Sequence, residues 1–109
     1  IELGYKFESF GGAKTVKWVQ SKTPAIYEEV DKMIFERRNG PNRRPSMGQD
    51  VIRGRKTEIL HMNGYVLDSA KKIKKALPYT EATVEKVLEI DNGRIEPDVN
   101  NVYSIIDKI

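Results

Sequence analysis

The sequence has no cysteine, which removes disulfide staples, thiolate nucleophiles and every zinc site built on sulfur. That composition points to the cytoplasm. Histidine is nearly as scarce: His61 stands alone, so a histidine-rich metal centre is excluded and no metal is expected. A serine, histidine and acid triad would have to be built on His61, which falls inside a helical pattern where a surface or helix-packing imidazole is the ordinary case. No apolar run approaches the ~20 residues needed to span a bilayer, and no charged segment followed by an apolar one opens the chain. A membrane role is not expected. The glycines do not form a Gly-x-Gly-x-x-Gly turn after a strand, no segment pairs strand-length alternation with hairpin chemistry, and no unit of about 20 to 50 residues recurs. A dinucleotide-binding domain and a repeat solenoid are therefore both excluded for these residues.

What is present suits one small globular domain. The chain has 109 residues, 39% hydrophobic and 32% charged, enough for one modest core that a neighbouring domain or second subunit would help to stabilise. The net charge of +3 is unevenly spread. Arg37, Arg38, Arg43, Arg44, Arg53, Arg55 and Lys56 face the single acid Asp50 in that stretch, which makes it locally positive.

Residues 1–22 read as a linker or irregular lead-in: Gly4, Gly11 and Gly12 interrupt isolated apolar residues, and only Val16, Trp18 and Val19 suggest a short helix. Residues 23–109 read as the domain proper. Thr23 and Pro24 open a helix whose Ile26, Tyr27, Val30, Met33 and Ile34 recur at helical spacing through about Arg37. The segment from Arg37 to Pro45 is a basic loop, since Asn-Gly and two prolines cannot continue a helix. Ser46 stands three residues before Gln49, the spacing of a capping box, and Gly54 should stop the short helix after it. Thr57 to about Ala76 carries the strongest pattern, Ile59, Met62, Val66, Ala70 and Ile73, with Lys71, Lys72, Lys74 and Lys75 towards the negative end of its dipole. Pro78 ends it. Thr80 and Glu81 open a helix with Val84, Val87, Leu88 and Asp91 along one side, before Asn92 and Gly93. Pro97 begins the last helix, with Val99, Val102, Ile105, Ile106 and Ile109. The expected fold is all-α, a small bundle of about five helices.

The stretch from Pro45 to Gly64, PSMGQDVIRGRKTEILHMNG, resembles the signature of the C-terminal domain of ketopantoate reductases. The matching residues are Ser46, Met47, Gln49, Asp50, Gly54, Arg55, Thr57, Glu58, Ile59, Asn63 and Gly64, and LPYTEATVEKVLEI resembles the family's closing helix, so the likeness covers roughly residues 45 to 100. It implies the C-terminal part of a two-domain enzyme that reduces 2-dehydropantoate to pantoate with NADPH, a step toward pantothenate. By residue matching, Ser46 takes the position of the family's substrate-binding serine and Gln49 lies in the substrate-contacting turn, with Met47 and Gly48 beside it. Gly48 replaces a residue that is commonly leucine. Glu58 takes the position of the glutamate that lines the cleft beside the cofactor, where it serves catalysis. The resemblance further implies that Ser46 and Glu58 open into one accessible hollow where another domain docks.

Chemistry is consistent with those types. Hydroxyl and amide donors at a helix start suit a 2-oxo acid's anionic oxygens. The alkoxide formed on hydride transfer needs a proton from a cation such as lysine, oriented by a carboxylate. Each residue also has an ordinary reading: Ser46 as an N-cap, Glu58 as an acid favoured by a helix dipole, Asn63 and Gly64 as close-packing residues, Asp50 as the partner of an arginine or helix end. The family's dinucleotide-binding domain and its lysine-bearing helix have no match here, and Lys14 and Lys17 do not resemble that helix. The chain is thus expected to be inactive by itself, to need that N-terminal domain, and to form a homodimer. Two other classes compete: a basic helical module binding nucleic acid through the arginines of Arg37 to Arg44 with Arg53, Arg55 and Lys56, although no aromatic residues interleave them, and a purely structural oligomerisation domain.

Overall fold

The computed structural model describes residues 2–6, 8, 18, 22–38 and 44–108, and the chain divides into two compact units, Ile1–Arg43 and Arg44–Ile109. The described residues form five α-helices and one π-helical turn, with no strand among them. The small all-α architecture read from the periodicities is the one observed.

In the first unit, α1 spans Pro24–Arg38. Pro24 has no amide to leave unpaired at the first helical position, and the Thr23 carbonyl accepts from the amides of Ile26 at 3.0 Å and Tyr27 at 3.2 Å. Ile26 is buried and Val30 and Met33 are half-buried, while Tyr27 and Ile34 are exposed, so the buried stripe is narrower than the apolar sequence suggests. The indole of Trp18 donates to Glu29 Oε1 at 3.4 Å. Val16, Val19 and most of the arginine-rich loop lie outside the described residues.

The second unit contains α2 (Ser46–Ile52), a π-helical turn (Leu60–Gly64) running directly into α3 (Tyr65–Lys72), α4 (Pro78–Asp91) and α5 (Asn101–Asp107). Its first three helices end in the same way. After α2, Gly54 adopts φ +66°, its amide reaches Val51 O at 3.0 Å and that of Arg55 reaches Asp50 O at 2.8 Å. After α4, Gly93 adopts φ +67°, with its amide on Ile90 O and that of Arg94 on Glu89 O, both at 2.9 Å. This is the Schellman closure, which satisfies carbonyls a helix end leaves free. The third case is α3, where Lys74 takes the left-handed position at φ +55°, its amide bonded to Lys71 O at 3.0 Å and that of Lys75 to Ala70 O at 2.9 Å. That closure stops the helix at Lys72 rather than near Ala76.

Two helix starts also differ from the sequence reading. Pro78 does not end the preceding helix, which has already closed at Lys72; it is the first residue of α4, and the Glu81 amide bonds to Leu77 O at 2.9 Å. In contrast, α5 waits until Asn101. Asp98 Oδ1 accepts from the Asn100 amide at 2.7 Å and Asn101 Nδ2 donates to Glu96 O at 2.9 Å, so side chains hold the segment after Pro97 in a turn.

The core is small. Ile59, at 2% exposure, is its most enclosed side chain, joined by Ala70, Ala82 and Val84. Of the stripe expected on the long helix, Met62 and Val66 are instead about half exposed, at 49% and 48%. The π turn explains this, because it adds a residue to one turn and rotates the remainder of the helix. The buried positions are instead Ile59, Gly64, Ser69 and Ala70, with Asn63, Leu67 and Ile73 half-buried. α4 packs against both the π turn and α5, and Lys86 Nζ lies 2.8 Å from Glu89 Oε2 while Lys108 pairs with Glu85 across α4 and α5.

Candidate functional site

Ser46, Gln49 and Glu58 all fall at or just before helix starts in the second unit. The capping box expected from Ser46 and Gln49 is not formed. Pro45, at φ −56° and ψ 157°, occupies the cap position, and its carbonyl accepts from the Gln49 amide at 3.0 Å. Ser46 is therefore the first residue inside α2, and no side chain caps that helix. An N-cap serine needs non-helical backbone angles so that its oxygen can turn back to the amides. Here the rigid proline ring provides that entry instead. The Ser46 hydroxyl, exposed, is not consumed by the helix. Gln49 is exposed too, its Nε2 donating to Arg44 O at 3.1 Å, which leaves its amide oxygen as the group a ligand could use.

Their neighbours are less constrained than the motif suggests. A Cβ built on Gly48 would meet only Pro45 Cδ, at 3.8 Å, so the absence of the usual leucine is not forced by crowding. Asp50 makes no ion pair with an arginine among the described residues; its carbonyl instead accepts from the Arg55 amide. A Cβ on Gly64 would touch Leu60 Cδ2 at 3.5 Å, Leu60 Cβ at 3.6 Å and Ile59 O at 3.7 Å, all within its own turn. The nearest atoms to that added methyl thus belong to the glycine's own turn.

Glu58 is exposed between two anchored neighbours. On one side, Ile59 is the deepest core residue. On the other, Thr57 is held by Asp91, the last residue of α4: its amide donates to Oδ1 at 3.1 Å and Oδ2 at 3.2 Å, and its hydroxyl to Oδ2 at 2.7 Å. The Thr57 Oγ1 in turn accepts from the Ile59 amide at 3.4 Å. The Glu58 carbonyl is also engaged, by the amides of His61 at 2.9 Å and Met62 at 3.1 Å. Its carbonyl and both neighbouring residues are held, and its side chain is exposed. In the sequence Asp91 stands out only as a member of a helical stripe. The one local signal is a carboxylate at the negative end of a helix whose last turn carries no basic residue, an arrangement that needs some other partner.

Around these residues the surface is shallow. A hollow of about 290 Å³ is lined by Val51, Gly54, Arg55, Asp91 and Pro97 among others, and a second of about 430 Å³ lies between the π turn with α3 and α4, lined by Leu60, Gly64, Leu67 and Val84. Ser46, Gln49 and Glu58 line neither of these, nor the two smaller hollows beside α4. The shared recess expected for Ser46 and Glu58 is not among them. Leu60, Met62, Tyr65 and Val66, which come soon after Glu58, stay about half exposed or more. His61 is exposed, and among the described residues no group of three or more acidic or histidine side chains is placed to hold a metal ion. No described helix is long and apolar enough to cross a membrane.

The family model for the ketopantoate reductase PanE/ApbA C-terminal domain matches residues 12–91. The chain belongs to that family. The match begins well before Pro45, where the motif resemblance starts, and takes in α1 as well as α2, the π turn, α3 and α4. Every candidate residue of this ketopantoate reductase C-terminal domain lies inside it, Asp91 at its last position, whereas α5 lies beyond it. No curated protein and no solved structure matches the chain significantly.

Proposed function

We propose that this domain supplies the substrate side of an NADPH-dependent reduction of a 2-oxo acid of the 2-dehydropantoate type, as one part of a two-domain cytoplasmic enzyme. The described residues do not fit a dinucleotide by themselves. Gly54 and Gly93 close the C-terminal ends of helices, where carbonyls rather than amides face outward, and phosphates are held by amides at helix N-termini. NADPH would be held mainly by a dinucleotide-binding domain and would supply the hydride.

The observation that carries the reading is the unspent hydroxyl of Ser46: the helix is capped by Pro45, so a serine that would ordinarily serve its own backbone is exposed for a ligand. Ser46 donates to a carboxylate or ketone oxygen of the substrate, and Gln49 offers its amide oxygen to a substrate hydroxyl. Glu58 stands beside the cofactor and orients the cationic proton donor that neutralises the developing alkoxide. Leu60, Met62, Tyr65 and Val66 follow Glu58 closely in the chain and stay about half exposed or more, and exposed apolar side chains suit contact with another domain. The dinucleotide-binding domain is the proposed cover on this face, with a second copy of the chain as a further partner.

The test is kinetic, in the enzyme containing this chain, with 2-dehydropantoate as substrate. Glu58→Ala should lower kcat by roughly 10²-fold, the scale of lost proton-transfer assistance. Ser46→Ala should raise KM by about tenfold, as for one hydrogen bond to a charged group. Both should keep the helical circular dichroism of the parent. Parental kinetics in both variants would discredit the assigned roles.

A further inference from the structure

We infer that Asp91 is a positioning residue, which reaches from the end of α4 to fix the backbone that presents Glu58. This rests on the catalytic role proposed for Glu58, and it assigns to that glutamate a support from a distant part of the chain. Thr57 and Asp91 are 34 positions apart, yet one carboxylate accepts from both the amide and the hydroxyl of Thr57. The Thr57 oxygen passes the constraint on by accepting from Ile59, whose side chain is anchored in the core at 2% exposure. A residue between two such anchors keeps little rotational freedom, and Glu58 is the exposed residue between them.

The location of Asp91 argues that this bond is its purpose. A carboxylate at the C-terminus of α4 meets the negative end of the dipole, and the last turn offers no basic residue to offset it. Its compensation comes from Thr57, and charge-assisted hydrogen bonds of this kind are the stronger ones. Ser46 and Gln49 stand on α2 and take no part in the clamp. Loosening it should therefore disturb Glu58 while sparing the substrate contacts.

Two readouts test this. In the isolated chain, Asp91→Ala should speed amide hydrogen exchange at Thr57 and Ile59 by about tenfold or more, the loss expected for a charged hydrogen bond. In the enzyme containing the chain, turnover is measured per folded molecule, with melting curves recorded alongside. There Asp91→Ala and Thr57→Val should lower kcat with little change in KM, and Thr57→Ser should retain more turnover than Thr57→Val. Valine keeps the shape of threonine and serine keeps its hydroxyl, so a role in side-chain packing alone predicts the reverse order. Unchanged exchange in Asp91→Ala, or Thr57→Val outperforming Thr57→Ser, overturns the inference. Glu58→Gln separates the two claims: parental turnover there removes the catalytic reading of Glu58, and the exchange result alone then decides whether Asp91 holds it in place.

Discussion

Lys74→Gly should stabilise the domain. Three helices of the second unit close with a residue in left-handed geometry, and two of them use glycine, Gly54 at φ +66° and Gly93 at φ +67°. The third uses Lys74 at φ +55°, a geometry that brings any Cβ close to the following carbonyl. For a residue with a side chain that geometry costs about 1–2 kcal/mol. Glycine removes the clash and adds roughly 0.5–1 kcal/mol of backbone entropy to the unfolded chain. The net gain is about 0.5–1 kcal/mol, which for a unit of this size corresponds to a rise in Tm of about 2–8 °C. The charge is a small confounder, because Lys71, Lys72 and Lys75 remain near the same helix end. Lys74→Ala controls for it by deleting the ammonium while keeping the Cβ. Urea unfolding followed by circular dichroism at 222 nm should order the proteins with Lys74→Gly above both the parent and Lys74→Ala. The mirror substitutions Gly54→Ala and Gly93→Ala should each cost about 1 kcal/mol. Equal midpoints for Lys74→Gly and Lys74→Ala would refute the claim that backbone strain, rather than charge, distinguishes this helix end.

The same geometry predicts two further outcomes. Gly48→Ala and Gly64→Ala place a methyl at ordinary contact distance inside helical backbone, 3.8 Å from Pro45 and 3.5 Å from Leu60 at nearest, so each should raise stability by about 0.5–1 kcal/mol; a lower urea midpoint for either would show crowding that the geometry does not contain. The charge pairs of α4, Lys86 with Glu89 inside the helix and Glu85 with Lys108 after α5, should weaken at opposite extremes of pH. A hydrogen bond from Lys86, reinforced by the charges of Lys86, Lys108 and Arg94, holds the Glu89 carboxyl below its ordinary value against a smaller opposing effect of burial. Its contribution is therefore present above the unfolded-state value and is lost as pH falls through the depressed one. The Lys108 ammonium is held above its ordinary value, first by its hydrogen bond to Glu85 and then by that charge. Its contribution is present below the unfolded-state value and is lost as pH rises through the raised one. Helicity against pH should show a plateau with an acid and an alkaline decline, both shallow because the groups are exposed, and Glu85→Gln should remove the alkaline one. An alkaline decline unchanged in that variant would separate Lys108 from the contact.

Much of the fold can be read without coordinates because its signals are local. Pro24 marks the start of α1, and Gly54 and Gly93 mark the ends of α2 and α4, since proline and glycine report backbone angles directly. Lys74 reports nothing of the kind, so α3 ends four residues earlier than its composition implies. Ser46 and Gln49 have capping-box spacing, but a proline in front can take the cap position, and spacing alone cannot weigh one against the other. The Asp91 clamp lies further beyond reach: it joins residues that only the packing of α4 against the π turn brings together. Of the candidate site, Ser46, Gln49 and Glu58 are legible through the family motif, and the residue that holds Glu58 in place is not.

The apolar stripe from Ile59 to Ile73 contains the more general reason. Hydrophobic spacing says that a set of side chains avoids water, but it does not say whether they do so inside their own domain or against another. Here the π turn makes that division, sending Ile59, Leu67 and Ala70 inward and leaving Met62, Tyr65 and Val66 about half exposed or more. Such turns cost helix regularity and concentrate at functional positions. This one begins two residues after Glu58, so the element that diverts apolar side chains outward is also the one whose first amides bond to the Glu58 carbonyl. The Glu58 carbonyl and the outward turn of these apolar side chains are therefore set by the same element, and under the proposed function a neighbouring domain would cover them.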